Sequence, residues 1–215
     1  MYQYFNRQEA GKVLAEQLQS YAKNANTIVL ALPRGGVPVA YEIAKSLSLP
    51  LDVFIVRKLG VPGFEELAFG AIASNEIMEF NKDVLNDCGL SQPAMDEVIR
   101  SERQELQRRE LAYRGNRPFP VLKDKIIILV DDGIATGATM RVAIKALRQQ
   151  HPAEIVIAVP VAALSTYDEM KRLANKIFCP LTPDHFYAVG SWYEHFDQTS
   201  DEEVFDLLHK NAMQK

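Results

Sequence analysis

The chain has 215 residues, 47 % of them hydrophobic and 24 % charged, ordinary globular values that set aside disordered, collagen-like and coiled-coil architectures. That length holds one α/β core with a small appendage, so a single domain over residues 1–215 is expected. A formal net charge of −4 argues against a general nucleic-acid binder and leaves room for a local basic pocket that takes an anionic small molecule. Cys88 and Cys179 have neither CxxC nor metal-ligand spacing and read as free thiols of a reducing compartment. With no apolar leader and no apolar run of membrane-spanning length, a cytoplasmic protein is expected, with neither membrane nor nucleic acid as partner.

In chain order, residues 7 to 22 keep helical spacing through Val13, Leu14 and Leu18. The run TIVLAL (27–32) is apolar throughout and rich in β-branched residues, which predicts a strand buried on both faces. Val37, Ala40, Ala44 and Leu47 resume helical spacing, with Pro38 suited to the first turn. LDVFIV (51–56) reads as a second strand, GVPGFEEL (60–67) as a loop, and the stretch between 67 and 80 as a short hairpin. Residues 91 to 114 predict a charged helix that Ser91 caps, Glu105–Arg109 and Glu110–Arg114 pairs support, and Gly115 ends. KIIILV (125–130) is the third long strand, and the helix after it turns Met140, Ala143, Ile144 and Leu147 inward. EIVIAVPVA (154–162) is a fourth strand, Ser165 and Asp168 are candidate caps of the next helix, and a capping box from Ser200 to Glu203 opens the last one. Strands alternating with helices predict an α/β fold with a mainly parallel sheet flanked by helices, whose ligands bind beyond the carboxyl ends of the strands.

At one such end Asp131 and Asp132 precede GIATGAT, a loop made almost entirely of small or hydroxyl-bearing residues that runs into a helix. Gly133 and Gly137 allow unusual backbone angles, Ala135 and Ala138 keep side chains out of the way, and Thr136 and Thr139 add hydroxyl donors, so main-chain N–H groups can converge on an anion. Two carboxylates repel a phosphate held against them by on the order of a few kcal/mol at an effective dielectric near 20. They must therefore meet another part of the same ligand, and a vicinal diol offers them hydrogen bonds. A ribose 5-phosphate satisfies both halves. A plain capped turn would need one acid and none of the small residues.

The string VDDGIATGATM resembles the phosphoribosyl-pyrophosphate (PRPP) motif of type I phosphoribosyltransferases, closest to the adenine version. With LPRGGVPVAYEIA, VRKLGVPGFEELAFGAIA and SWYEHFDQTSDEEV it resembles a group of bacterial phosphoribosyltransferases, some fused to hydrolase domains. The resemblance implies the type I fold with a hood, supplied here by residues 81 to 118 or the tail 181 to 215. It implies that Asp131 and Asp132 hold the ribose hydroxyls and act in catalysis, that residues 135 to 139 hold the 5′-phosphate with Gly133 in the same PRPP site, and that Arg34, Gly35 and Gly36 with Lys58 and Arg57 hold pyrophosphate. A cis peptide is expected between Arg34 and Gly35, and a mobile lid over 60–67. Mg²⁺ would be held mainly through PRPP and water near the two acids. Phe186, Trp192 and Tyr193 are candidates for contact with a nitrogenous acceptor, although aromatic clusters more often pack the core. The expectation is a homodimeric, Mg²⁺-dependent transferase of the phosphoribosyl group from PRPP to a nucleobase-like acceptor. The alternative is a PRPP-binding regulator without turnover, and a metal-dependent phosphatase is a weaker third.

Overall fold

The computed structural model describes residues 3–213. The chain forms α1 (Arg7–Gln17), β1 (Thr27–Ala31), α2 (Gly36–Leu47), β2 (Leu51–Val53), β3 (Val56–Val61), β4 (Phe64–Ala73), β5 (Ile77–Phe80), α3 (Lys82–Cys88), α4 (Gln92–Arg114), β6 (Ile126–Val130), α5 (Ala138–Arg148), β7 (Glu154–Ala158), α6 (Leu164–Leu173), β8 (Lys176–Phe178) and α7 (Asp201–Met213). Five strands build a parallel sheet in the order β2-β1-β6-β7-β8. The expected α/β class with a mainly parallel sheet flanked by helices is the fold observed.

The uninterrupted apolar runs follow from burial on both faces, because successive side chains alternate across a strand. Val29, Ala31, Ile128, Val130, Val156 and Ala158 face a core shared with α1, α2, α4 and α7. Ile28, Leu30, Ile127, Leu129, Ile155 and Ile157 face the opposite core, built with Met140, Ile144 and Leu147 of α5 and Met170 of α6. Burying one such side chain is worth roughly 1.5–3 kcal/mol. One lost strand residue thus removes a large share of the ~5–15 kcal/mol that holds a domain folded.

The helix signals meet their partners. Asn6 Oδ1 accepts the Glu9 N–H at the start of α1, Ser91 Oγ accepts the Ala94 N–H at the start of α4, and Ser200 Oγ accepts the Glu203 N–H at the start of α7. α1 stops at Gln17 and a 3-10 turn over Gln19–Tyr21 covers the rest of the expected helix. At α6 the expected caps are absent, since the helix starts at Leu164 and its cap residue, Ala163, has no side-chain hydrogen bond.

The largest departure lies between residues 51 and 80. The expected strand 51–56 is two strands in two sheets. β2 ends at Val53, where its parallel partner β1 also ends, and the chain turns so that the Ile55 N–H donates to Ser74 Oγ and the Ser74 N–H to the Ile55 carbonyl. β3, β4 and β5 then form an antiparallel sheet of their own. The expected loop 60–67 is mostly the β3–β4 hairpin, with only Pro62 and Gly63 outside the two strands and Gly63 at a φ of 81°. A bulge at Gly60 shifts the register and breaks the period-2 alternation by which a strand is read. α3 and the short edge strand β8 also carry too few apolar residues to stand out in the sequence. β7 is shorter than expected: Val161 continues only as an isolated bridge to Leu181 past Pro160, which has no N–H to give a ladder.

A buried ion pair ties the second sheet's helix to the first sheet. Arg114, at the end of α4, donates from Nε to Asp52 Oδ1 at 3.0 Å and from Nη2 to the Val53 carbonyl at 3.2 Å, and its guanidinium lies over the Phe119 ring. α7 packs against α2 and α4, so the tail closes over the same side.

Candidate active site

The order β2-β1-β6-β7-β8 sets the site. From β1 the chain moves to β2 on one side, and from β6 it moves to β7 and β8 on the other. The chain thus leaves β1 and β6 in opposite directions, and the carboxyl ends of these neighbouring strands form the switch point, the crevice position at which open α/β sheets bind ligands. The loop after β1 is PRGG and the loop after β6 is DDGIATG.

The two loops touch. A methyl group added at Gly35 would overlap Asp132 Oδ2, and one added at Gly36 would lie 2.8 Å from the Val130 carbonyl oxygen and 2.9 Å from Asp131 Cα. Only glycine lets the PRGG backbone lie this close to the acids. A cis peptide joins Pro33 to Arg34, one bond earlier than the expected Arg34 to Gly35.

Both acids are largely withdrawn from water. Burial, then the charge of Asp132, raises the Asp131 carboxyl well above the ordinary aspartate range. Burial raises Asp132 too, and Arg7 works against that rise. Asp131 Oδ1 accepts the Asp132 N–H at 2.9 Å, and Asp132 Oδ2 accepts Arg7 Nε at 2.9 Å and Nη2 at 2.8 Å. The Tyr193 hydroxyl donates to the Asp132 carbonyl at 2.6 Å.

Beyond the acids the Ile134 N–H donates to the Val161 carbonyl, and the loop from Ala135 onward is made of small and hydroxyl-bearing residues that leave its outer side open. Gly137 precedes α5 at a φ of 73°, with no side-chain hydrogen bond capping the helix. Four residues around this helix start, Ala135, Thr136, Ala138 and Thr139, are exposed. The first N–H groups of a helix have no intrahelical partner and carry the positive end of its dipole, so this start suits an anion. The loop is anchored from behind by the Thr166 hydroxyl, which donates to the Ala135 carbonyl at 2.6 Å, and by the Ile134–Ala162 bridge.

The expected pyrophosphate cations are not gathered in one place. Arg34 is partly exposed and pairs with Asp201 at 3.5 Å. Lys58 and Arg57 stand on β3 in the second sheet, Lys58 against Glu66 across the hairpin at 3.2 Å and Arg57 against Glu102 of α4 at 2.6 Å. The acceptor candidates also separate. Trp192 and Tyr193 are buried in a cluster with Tyr4, Ala10 and Val161, as core packing requires, and Tyr193 also holds the acid loop through its hydroxyl. Phe186 lines a cavity of about 500 Å³ with Ala163, Leu164, Ser165, Asp168 and Asp184, next to the anchored side of the loop. Tyr187 is 91 % exposed. Burial pushes the Cys179 thiol up to about 12, which makes it a poor nucleophile at neutral pH.

Sequence reading missed Arg7, which is 125 residues away from Asp132 along the chain. A single arginine in the first turn of a helix carries no pattern. The clue lay in chain pairing that periodicity does not reveal: residues 4 and 5 hydrogen bond along residues 192 to 195 and bring α1 beside the acids.

Comparison with known proteins agrees with this geometry. Residues 3–195 match the model of the phosphoribosyl transferase domain. Proteins from two strains of Mycobacterium tuberculosis, both carrying the provisional name phosphoribosyl transferase, are 45 % identical over 95 % of this chain and 46 % of their own length. The chain thus spans about half the length of the curated relatives it matches. The crystal structure of TT1426 from Thermus thermophilus is similar at a TM-score of 0.84 and 36 % identity, covering 97 % of this chain and 98 % of that one. No helix among the described residues is long and apolar enough to cross a membrane. With the acid pair, the open amide loop and the abutting glycine turn at one switch point, the chain belongs to the phosphoribosyltransferase family of pentosyl-transferring enzymes.

Proposed function

We propose that the chain transfers the 5-phosphoribosyl group of PRPP to a nitrogenous acceptor and releases pyrophosphate. The observation that carries this reading is the contact between two unlike loops: two half-buried acids and exposed helix-start residues on one, a glycine turn pressed against the acids on the other. A ligand with a diol between two phosphate groups matches that sequence of surfaces. Asp131 and Asp132 accept from the ribose hydroxyls, the N–H groups and hydroxyls from Ala135 to Thr139 receive the 5′-phosphate with Gly133 part of the same site, and Gly35 and Gly36 with Arg34 receive the pyrophosphate. Lys58 and Arg57 join them only if the second sheet closes on the crevice. In the reaction an acceptor nitrogen bonds to the anomeric carbon as the bond to the pyrophosphate oxygen breaks, through an oxocarbenium-like state.

Among the described residues no group of three or more His, Cys, Asp and Glu could hold a metal ion. The two acids fit a Mg²⁺ that arrives with PRPP and keeps donor oxygens and water as most of its ligands. When bound, that ion offsets the charge of the departing pyrophosphate. The cavity around Phe186 and the exposed Tyr187 suit the acceptor. The protein is read as a cytoplasmic homodimer, which light scattering of the purified protein tests.

Release of labelled pyrophosphate from PRPP and Mg²⁺, measured against a panel of nucleobases and related amines, tests the reading. Turnover with one acceptor supports it. Tight PRPP binding without turnover on any acceptor favours the regulatory alternative.

A further inference from the structure

We infer that Arg7 is a positioning residue for donor binding, holding Asp132 in the orientation that receives the ribose hydroxyls. This rests on the proposed function and goes beyond it, since nothing in the acid-pair motif calls for a cation from the first helix.

Arg7 is only 9 % exposed, and each side of its guanidinium has a partner. Nε and Nη2 both donate to Asp132 Oδ2, Nη1 donates to the Asp197 carbonyl at 2.7 Å, and the planar group lies 3.8 Å from the centre of the Phe196 ring. Phe196 in turn stacks on Tyr193, whose hydroxyl holds the Asp132 main chain. One side-chain oxygen and the main-chain carbonyl of the same aspartate are thus fixed from the same side, by two groups in contact with one ring.

The local chain explains how Arg7 arrives there. The Tyr4 N–H donates to the Trp192 carbonyl, and the Glu194 and His195 N–H groups donate to the Tyr4 and Phe5 carbonyls. Asn6 then caps α1, so that Arg7 is its first residue. A rigid fork suits this place better than a lysine, because three donors must point in fixed directions at two acceptors.

The arrangement has a chemical consequence. The paired oxygen, Oδ2, is the one that faces Gly35. Pinning it fixes the torsion of the carboxylate, so that both oxygens are held in one orientation for a ligand. Without Arg7, Asp132 would stay beside Asp131 with no cation, and its carboxyl would be free to turn away from the orientation it holds against Gly35.

Calorimetric titrations in Mg²⁺ with PRPP, ribose 5-phosphate and inorganic pyrophosphate test this on wild type, Arg7→Met and Arg7→Lys. Methionine keeps the contact with Phe196, and lysine keeps the charge without the fork. Ribose 5-phosphate and PRPP are expected to bind at least about 10-fold more weakly to Arg7→Met, pyrophosphate alone within about 2-fold of wild type, and Arg7→Lys in between for the sugar ligands. A general loss of structure would weaken all three ligands together and would not be rescued in part by lysine. If Arg7→Met does not fold, Arg7→Lys carries the test: the same selective loss supports the inference, and wild-type affinity for ribose 5-phosphate overturns it. Wild-type protein that binds neither PRPP nor ribose 5-phosphate sinks the functional reading and this inference with it. Wild-type binding left unchanged in both variants sinks the inference alone.

Discussion

The crevice between β1 and β6 and the second sheet with α4 handle charge in opposite ways. In the crevice the charged groups are few and the two acids are largely withdrawn from water, and glycine contacts and main-chain amides do most of the shaping. On the second sheet and α4 the charges are many and sit near the surface, in pairs such as Lys58–Glu66, Arg57–Glu102 and Glu105 with Arg108 and Arg109. A site made from backbone presents one fixed surface, as a donor common to a whole family requires. A surface of exposed pairs re-forms at little cost, because an exposed ion pair is worth about 0–1 kcal/mol. In the proposed function the crevice therefore serves as the rigid half of the molecule and the second sheet as the adaptable half.

The strongest way to break this contrast is to cut the joint between the halves. Arg114→Ala leaves Asp52 buried without its partner, and denaturant unfolding is expected to show a loss of about 3–5 kcal/mol. The protein that stays folded should still bind PRPP, because Arg114 touches neither loop of the crevice.

Replacing an acid attacks the rigid half directly. Asp131→Asn is expected to weaken PRPP by about 10- to 100-fold in calorimetry, the 1.5–3 kcal/mol of a hydrogen bond to a charged group. The same change should raise the melting temperature of the free protein at neutral pH. The folded carboxyl is held above its unfolded value, so its contribution to stability is full below about pH 4 and is lost as pH rises through the folded pKa. An amide that never ionises escapes that loss. Melting curves from pH 4 to 8 should therefore show the gap between variant and wild type widening with pH, and a closing gap would contradict the account.

Gly36→Ala probes the packing of the loops. Its new methyl would meet main-chain atoms that cannot move aside, so a loss of about 1–3 kcal/mol is expected, together with weaker PRPP binding. Lys58→Ala should have the smallest effect, under about 1 kcal/mol on stability, and a several-fold weakening of PRPP that disappears at high salt if Lys58 reaches pyrophosphate.

Much of the rigid half was legible in the sequence, because its chemistry is local. Strand, acids, loop and helix follow each other within residues 126 to 148, and the spacing of Gly133, Gly137, Thr136 and Thr139 carries the site's logic. The contact of Gly35 with Asp132 and the clamp by Arg7 were not legible, since each joins segments about 100 residues apart or more. The second sheet was read poorly for a different reason. Phe64, Glu65, Glu66 and Leu67 are all exposed at the start of β4, so neither face of that strand is selected for apolar residues and no alternation marks it. Trp192 and Tyr193 illustrate a third limit. Composition identifies an aromatic cluster, and only packing tells a stacking surface from a support.

The central claim is that one donor spans the crevice, with its diol at Asp131 and Asp132 and its two phosphate ends on opposite loops. A crystal structure of the protein with PRPP and Mg²⁺ tests it most directly. The account predicts the ribose hydroxyls on the two aspartates, the 5′-phosphate on the amides at the start of α5, and the pyrophosphate along Gly35 and Gly36. Density for PRPP outside this crevice, or with its phosphate ends away from both loops, would contradict it.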